Sequence, residues 1–158
     1  MCRRGLKTLM VSLSAGLLLT GCGSSKPEVG SIKGYDKGEE YLSIWVHSIE
    51  DTDEGQAYKE SVNAFNKKYD GKYFADIEFI PRNDSGGGYS DKINASVMSG
   101  GLPDVLTVDG PNIAAYAENG IIQPLAKLSN KEKSAYLDSI IAQGTYDNKL
   151  YALGAIRV

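Results

Sequence analysis

Gly100-Gly101-Leu102-Pro103-Asp104-Val105-Leu106-Thr107-Val108-Asp109-Gly110-Pro111-Asn112 is the stretch from which the fold can be read. The paired glycines stop a preceding helix, and Pro103 prevents its continuation. Val105-Leu106-Thr107-Val108 is a short apolar run bounded by turn residues, which predicts a strand. Pro111 suits the first turn of a new helix, in which Ile113, Tyr116 and Ala117 share an inner face until Gly120 ends it.

The same alternation extends in both directions. Upstream, Leu42-Ser43-Ile44-Trp45-Val46-His47 is β-rich and bounded by charge, which predicts a first strand. Tyr58, Val62, Phe65 and Tyr69 then recur at helical spacing behind a run of acids that suits a helix N-terminus. Residues 73–80 predict a second strand closed by Pro81, and Gly86-Gly87-Gly88 opens a helix with Tyr89, Ile93 and Val97 on one face. Downstream, Ser129 and Glu132 have capping-box spacing for a fourth helix running to about residue 143, and residues 146–151 predict a hairpin or short strand. The order β-α-β-α-β-α implies an α/β fold with a parallel sheet flanked by helices on both faces. Ligands of such sheets bind beyond the carboxyl ends of the strands, so residues 47–53, 82–88 and 109–112 are the candidate loops.

The N-terminus is organised differently. Arg3, Arg4 and Lys7 precede an apolar run over residues 8–19, which at 1.5 Å per residue reaches about 18 Å, short of a bilayer core of about 30 Å. It reads as a secretory h-region. The run ends Leu19-Thr20-Gly21-Cys22, which resembles the lipobox of bacterial lipoproteins. That resemblance implies a signal peptide over residues 1–21, lipidation of Cys22, and a lipid-anchored chain facing the extracellular or periplasmic side of the cell membrane. Residues 22–40 are polar and glycine-rich, a tether spanning roughly 23 Å as a flexible coil. Residues 41–158 form the foldable part.

Composition excludes several function classes. The whole chain of 158 residues carries a net charge of -3, and without the three basic residues of the signal the balance falls to -6. This argues against nucleic acid as a partner. Cys2 leaves with the signal and Cys22 is the lipidation site, so no thiol remains for a disulfide or zinc site. Gly86-Gly87-Gly88 matches neither a phosphate loop nor a dinucleotide fingerprint, and Asp51-Thr52-Asp53 lacks the later ligands of a calcium loop. Asp104 and Asp109 are the sole suggestion of paired carboxylates, and they stand at opposite ends of one short strand. The pattern supplies no nucleophile and no tuned base, so neither enzymatic activity nor a cofactor or metal is expected.

Gly101-Leu102-Pro103-Asp104-Val105, Asp109-Gly110-Pro111-Asn112, Gly120-Ile121-Ile122 with Pro124-Leu125, and the late Tyr146-Asp147-Asn148-Lys149-Leu150-Tyr151-Ala152-Leu153 resemble carbohydrate-type extracellular solute-binding proteins of bacterial ABC importers. Trp45 and the helix through Phe65 and Tyr69 also match. The resemblance implies a periplasmic-binding-protein-like lobe, capture of a sugar or oligosaccharide, and delivery to permease subunits of an ABC transporter. Carboxylates and amides can bridge vicinal sugar hydroxyls, and aromatic rings can stack on sugar faces. On that basis Asp109 is the leading ligand-binding candidate, with Asn112 in the same loop, Glu50 and Asp51 in the first loop, Arg82 and Asn83 in the second, and Trp45 as a stacking ring. His47 and Trp45 read equally as packed residues. The family continues into hinge crossings and a second lobe after the position of Leu153, so the second lobe is missing and an incomplete N-terminal lobe is expected. The alternatives are a non-functional fragment, a small interaction lipoprotein without a transport role, or a binder of a non-sugar solute.

Overall fold

The computed structural model describes residues 33–36, 38–81 and 88–154. The signal and most of the tether lie outside that range. Three parallel strands form the main sheet: β1 (Glu40–Val46) at the centre, β2 (Tyr73–Phe79) on one side and β3 (Val105–Leu106) on the other. β1 and β2 pair over seven residues, from Glu40 opposite Tyr73 to Val46 opposite Phe79. Parallel neighbours need a crossover between them, and the helices α1 (Asp53–Lys68) and α2 (Gly88–Ser99) occur in the two connections. This is the expected α/β lobe, a parallel sheet with flanking helices.

Strand alternation divides the sheet into two faces. Ile44, Val46 and Ile77 meet Tyr58, Val62 and Phe65 of α1. Trp45 and Glu78 lie on the opposite face, where Lys92 of α2 sits 4.2 Å from the Trp45 ring centre and also pairs with Glu78. Val46, Ala75 and Ile93 are at most 2% exposed, and the branched side chains of Val46 and Ile93 each contribute about 1.5–3 kcal/mol on leaving water. Tyr89 and Ile93 are buried as the helical spacing predicts, whereas Val97 is 40% exposed, so the inner face of α2 ends one turn early.

α1 is capped at both ends by local chemistry. The Thr52 hydroxyl accepts from the Gly55 amide at 3.1 Å, Asp53 and Glu54 occupy the first turn, and Lys67 and Lys68 the last. From its last turn Asn66 reaches the outer edge of β2. Its side-chain amide donates to the Ala75 carbonyl at 2.8 Å, and its side-chain oxygen accepts from the Ala75 amide at 2.7 Å. One residue thereby satisfies both backbone groups of a buried edge position.

The C-terminal part departs from expectation in one place. A 3-10 turn (Gly110–Asn112) leads into α3 (Ile113–Glu118), as Pro111 predicts. The fourth helix is broken: α4 (Asn130–Lys133) stops after one turn, and α5 (Asp138–Gln143) starts afresh behind an extended Leu137. The Ser134 hydroxyl bonds the Lys131 carbonyl at 2.9 Å, competing with the backbone ladder where the break occurs. The capping box is present as its spacing predicts, with hydrogen bonds from the Ser129 hydroxyl and amide holding the Glu132 carboxyl below its ordinary value. The predicted hairpin is made of β4 (Thr145–Tyr146) and β5 (Lys149–Leu150), joined by Asp147 and Asn148, both at positive φ. Asp and Asn tolerate that conformation, which a two-residue hairpin turn requires.

Replacing Asn66 with Ala leaves the Ala75 amide and carbonyl without their partner. The expected cost is about 1–3 kcal/mol of unfolding free energy. A urea denaturation midpoint unchanged from wild type would show that water substitutes for the side chain.

Candidate functional site

Because all three strands run the same way, the turns that follow them emerge at one end of the sheet. The first turn is fixed by its own backbone. The Thr52 amide and hydroxyl both donate to the Ile49 carbonyl, and the Ser48 hydroxyl donates to Glu54 at 3.0 Å. Gly55 lies beneath this turn: a Cβ there would stand 2.1 Å from the Ile49 carbonyl oxygen and 2.7 Å from that of Glu50. The turn therefore sits directly on the first turn of α1, and only glycine fits between them.

The turn holds Glu50 and Asp51 outward, both exposed. Glu50 pairs with Lys59 of α1, and that contact raises the lysine above its ordinary pKa. Both partners are open to solvent, so the pair is weak. Asp109 leaves β3 in an extended conformation and begins the 3-10 turn, and its backbone carbonyl accepts from the Asn112 amide at 2.8 Å. Neither the Asp109 nor the Asn112 side chain caps the helix that follows it.

The ends of β1 and β3 are joined by side chains. The His47 amide donates to the Thr107 hydroxyl at 2.9 Å, and the Tyr89 hydroxyl lies 2.9 Å from the Thr107 carbonyl and 3.2 Å from that of Trp45. The His47 and Tyr89 rings stack with centres 4.8 Å apart and planes within 3°. Burial pushes the Tyr89 phenol above its ordinary pKa, with smaller contributions from Tyr116 and Asp109, while its bonds to Thr107 pull the other way. The phenol stays protonated at neutral pH and remains a donor.

The structure thus places Asp109, Asn112, Glu50 and Asp51 on turns at the same end of the sheet. Trp45 is on the flank, its ring against Lys92 of α2. Arg82 and Asn83 lie outside the described residues, as does Cys22. Asp104 is at the opposite end of β3 from Asp109, where its carboxylate accepts from the Ser43 amide and hydroxyl, both at 2.8 Å. Five residues of extended chain separate the two acids by roughly 16 Å, which takes them out of any shared site. Thr107 and Tyr89 were read as strand and core residues from the sequence. Their hydroxyls, the polar positions on otherwise apolar faces, were the available signal.

A cleft of about 280 Å³ lies elsewhere, between α1 and the sheet, lined by Ile44, Val46, Val62, Phe65, Val105 and Leu106 among others. Its walls are almost wholly apolar, which suits a polyhydroxylated ligand poorly. Among the described residues no group of three or more His, Cys, Asp or Glu is arranged to hold a metal, and no helix is long and apolar enough to cross a membrane.

Residues 60–156 match the bacterial extracellular solute-binding protein family, and the chain belongs to it. It is 30% identical over 147 residues to the galactooligosaccharide-binding protein of Bacillus subtilis, covering 91% of this chain and 31% of that one. It is 25% identical over 149 residues to the diacetylchitobiose binding protein of Streptomyces coelicolor, covering 94% and 32%. Among solved structures, the family 1 extracellular solute-binding protein of Alicyclobacillus acidocaldarius superposes with a TM-score of 0.61 at 27% identity, over 75% of this chain and 28% of that one. The lobe therefore has the periplasmic-binding-protein-like fold. The chain spans about a third of the length of the curated relatives it matches.

Gly55→Ala drives a methyl group into two backbone carbonyls, so the first loop must shift or α1 must lose its first turn. The expected loss is about 1–3 kcal/mol, the usual cost of overpacking. Thermal unfolding checks the loss, and faster amide exchange at Thr52 and Gly55 would locate it.

Proposed function

We propose that this chain is the sugar-recognising N-terminal lobe of a lipid-anchored solute-binding protein, which captures an oligosaccharide outside the cell and presents it to a membrane permease. The observation that carries this reading is the Asp109–Asn112 turn. It stands at the carboxyl end of a parallel sheet, where ligands of such folds bind, and it presents a carboxylate and an amide that its own helix does not use as caps. The carboxylate can accept from hydroxyls on adjacent carbons of a sugar ring, and the amide can both accept and donate. The names of the relatives from Bacillus subtilis and Streptomyces coelicolor, both binders of short saccharides, support the same ligand class.

Glu50 and Asp51 supply further acceptors on the neighbouring turn. Arg82 and Asn83, in the connection that precedes α2, belong to the same proposal, as does Trp45 for a ring that reaches the flank of the sheet. A single lobe binds one side of a sugar, and hinge closure of a second lobe would bury the other. Cys22 holds the lobe to the membrane through its lipid, and the polar stretch behind it gives reach as far as Tyr35, whose ring packs against Tyr41 and Phe74 of the lobe. This mode of action needs no catalytic group, cofactor or metal.

Calorimetric titration of the full chain in detergent against a panel of galacto-, chito- and malto-oligosaccharides tests the ligand class. Binding of at least one of them is expected, with Asp109→Ala weakening it about tenfold or more, the effect of losing a hydrogen bond to a charged group. Affinity unchanged in that variant removes Asp109 from the site, and binding only to a peptide or polyol replaces the ligand class. The anchor is tested separately: Cys22→Ser is expected to abolish incorporation of labelled palmitate in cells, and labelling that persists would refute it.

A further inference from the structure

In a parallel ladder with Ile44 opposite Val105 and Trp45 opposite Leu106, the bonds alternate in a fixed order. The Thr107 amide donates to the Trp45 carbonyl at 3.0 Å, as that order requires. The next bond would run from the His47 amide to the Thr107 carbonyl. Instead the His47 amide takes the Thr107 hydroxyl, at 2.9 Å, and the Thr107 carbonyl takes the Tyr89 hydroxyl, also at 2.9 Å. The Thr107 hydroxyl is in turn 3.3 Å from the Tyr89 oxygen and can donate to it. Two side-chain hydroxyls have replaced one rung of the sheet, which is why β3 ends two residues earlier than its apolar run predicts.

This substitution has a geometric effect. A backbone rung would keep β1 and β3 at the ordinary strand spacing through His47 and Val108. With the hydroxyl inserted, the two chains can separate there, one toward the first turn and the other toward Asp109 and Gly110. The first turn of α2 is tied into the same point through Tyr89, whose side chain is 5% exposed and whose ring supports that of His47. The end of β1, the end of β3 and the first turn of α2 thus meet at one hydroxyl pair.

We propose that Thr107 and Tyr89 are positioning residues of the ligand site: their hydroxyl pair opens the end of the β1–β3 ladder and fixes the turn that carries Asp109 relative to the turn that begins at His47. The assignment of those turns to ligand binding rests on the function proposed above. The hydroxyl pair itself rests only on the distances around Thr107. The burial that keeps the Tyr89 phenol protonated also keeps it a donor across the neutral range.

The test compares Thr107→Val, Thr107→Ser and Tyr89→Phe in the full chain, by amide hydrogen exchange and by calorimetry with the tightest-binding saccharide. Thr107→Val keeps shape and loses the hydroxyl; Thr107→Ser keeps the hydroxyl and loses a methyl. The expected result is exchange at His47 and Asp109 about tenfold faster in Thr107→Val and Tyr89→Phe, near-wild-type exchange in Thr107→Ser, and saccharide affinity about tenfold weaker in the first two alone. A purely structural role would lower stability in Thr107→Val and Tyr89→Phe and leave the saccharide affinity of the folded chain at the wild-type value, which would also overturn the proposal. Wild-type exchange in Thr107→Val and Tyr89→Phe would overturn the proposal. Faster exchange in those two variants, in a chain that binds no saccharide, would uphold the hydroxyl pair while rejecting the sugar reading.

Discussion

The arrangement depends on β1 being paired on both sides by parallel strands. Parallel pairing cannot be closed by a tight turn, so each neighbour must be reached through a crossover, and each crossover delivers its strand in the same direction. That one constraint brings the turns after β1, β2 and β3 to a single end of the sheet. It also explains why β1 carries the apolar run Ile44-Trp45-Val46, since both of its faces meet helices. The end of the sheet where functional groups gather is thus fixed by connectivity, before any particular side chain is considered.

The two ends of the sheet are finished by different chemistry. Where the strands begin, acids close the structure onto itself: Asp104 accepts from the Ser43 amide and hydroxyl, and Asp76 accepts from the Tyr41 hydroxyl at 2.8 Å, a phenol that burial and then the Asp76 carboxylate hold well above its ordinary pKa. Where the strands finish, the acids Glu50, Asp51 and Asp109 are on exposed turns, and the first of those turns is held by backbone, by hydroxyls and by the Glu54 carboxylate. Carboxylates at the first end are structural. Those at the second stand on exposed turns.

Much of the architecture was readable because it rests on local rules. The helix through Tyr58, Val62, Phe65 and Tyr69 has an uninterrupted spacing, the Ser129 and Glu132 capping box is complete in four residues, and the Asp147-Asn148 turn has the residue types that positive φ demands. Two features were not readable. The capping-box spacing of Ser129 and Glu132 suits one helix running to about residue 143, but the chain leaves α4 after Lys133, where the Ser134 hydroxyl bonds the Lys131 carbonyl. The early end of β3 comes from a competition between the Thr107 carbonyl and its own hydroxyl for the His47 amide, and the outcome needs Tyr89 to occupy the carboxyl side of that exchange. The candidate site divides in the same way. Asp109 and Asn112 follow from strand order, whereas the flank position of Trp45 follows from strand phase and from Lys92 lying over it.

The sequence by itself determined the alternation of strands and helices, the parallel sheet that this alternation imposes, and the loops at which a ligand would be met. Those are consequences of periodicity, turn chemistry and the handedness of crossovers, which act over short spans of chain. Only the tertiary structure decided which hydroxyl replaces a rung of the sheet, which acids close a strand and which remain on exposed turns, and where the tryptophan ring rests. Each of those is a contest between partners far apart in the chain, as Ser43 and Asp104 or His47 and Thr107 are, and hydrogen bonds of that kind are settled by distance in space.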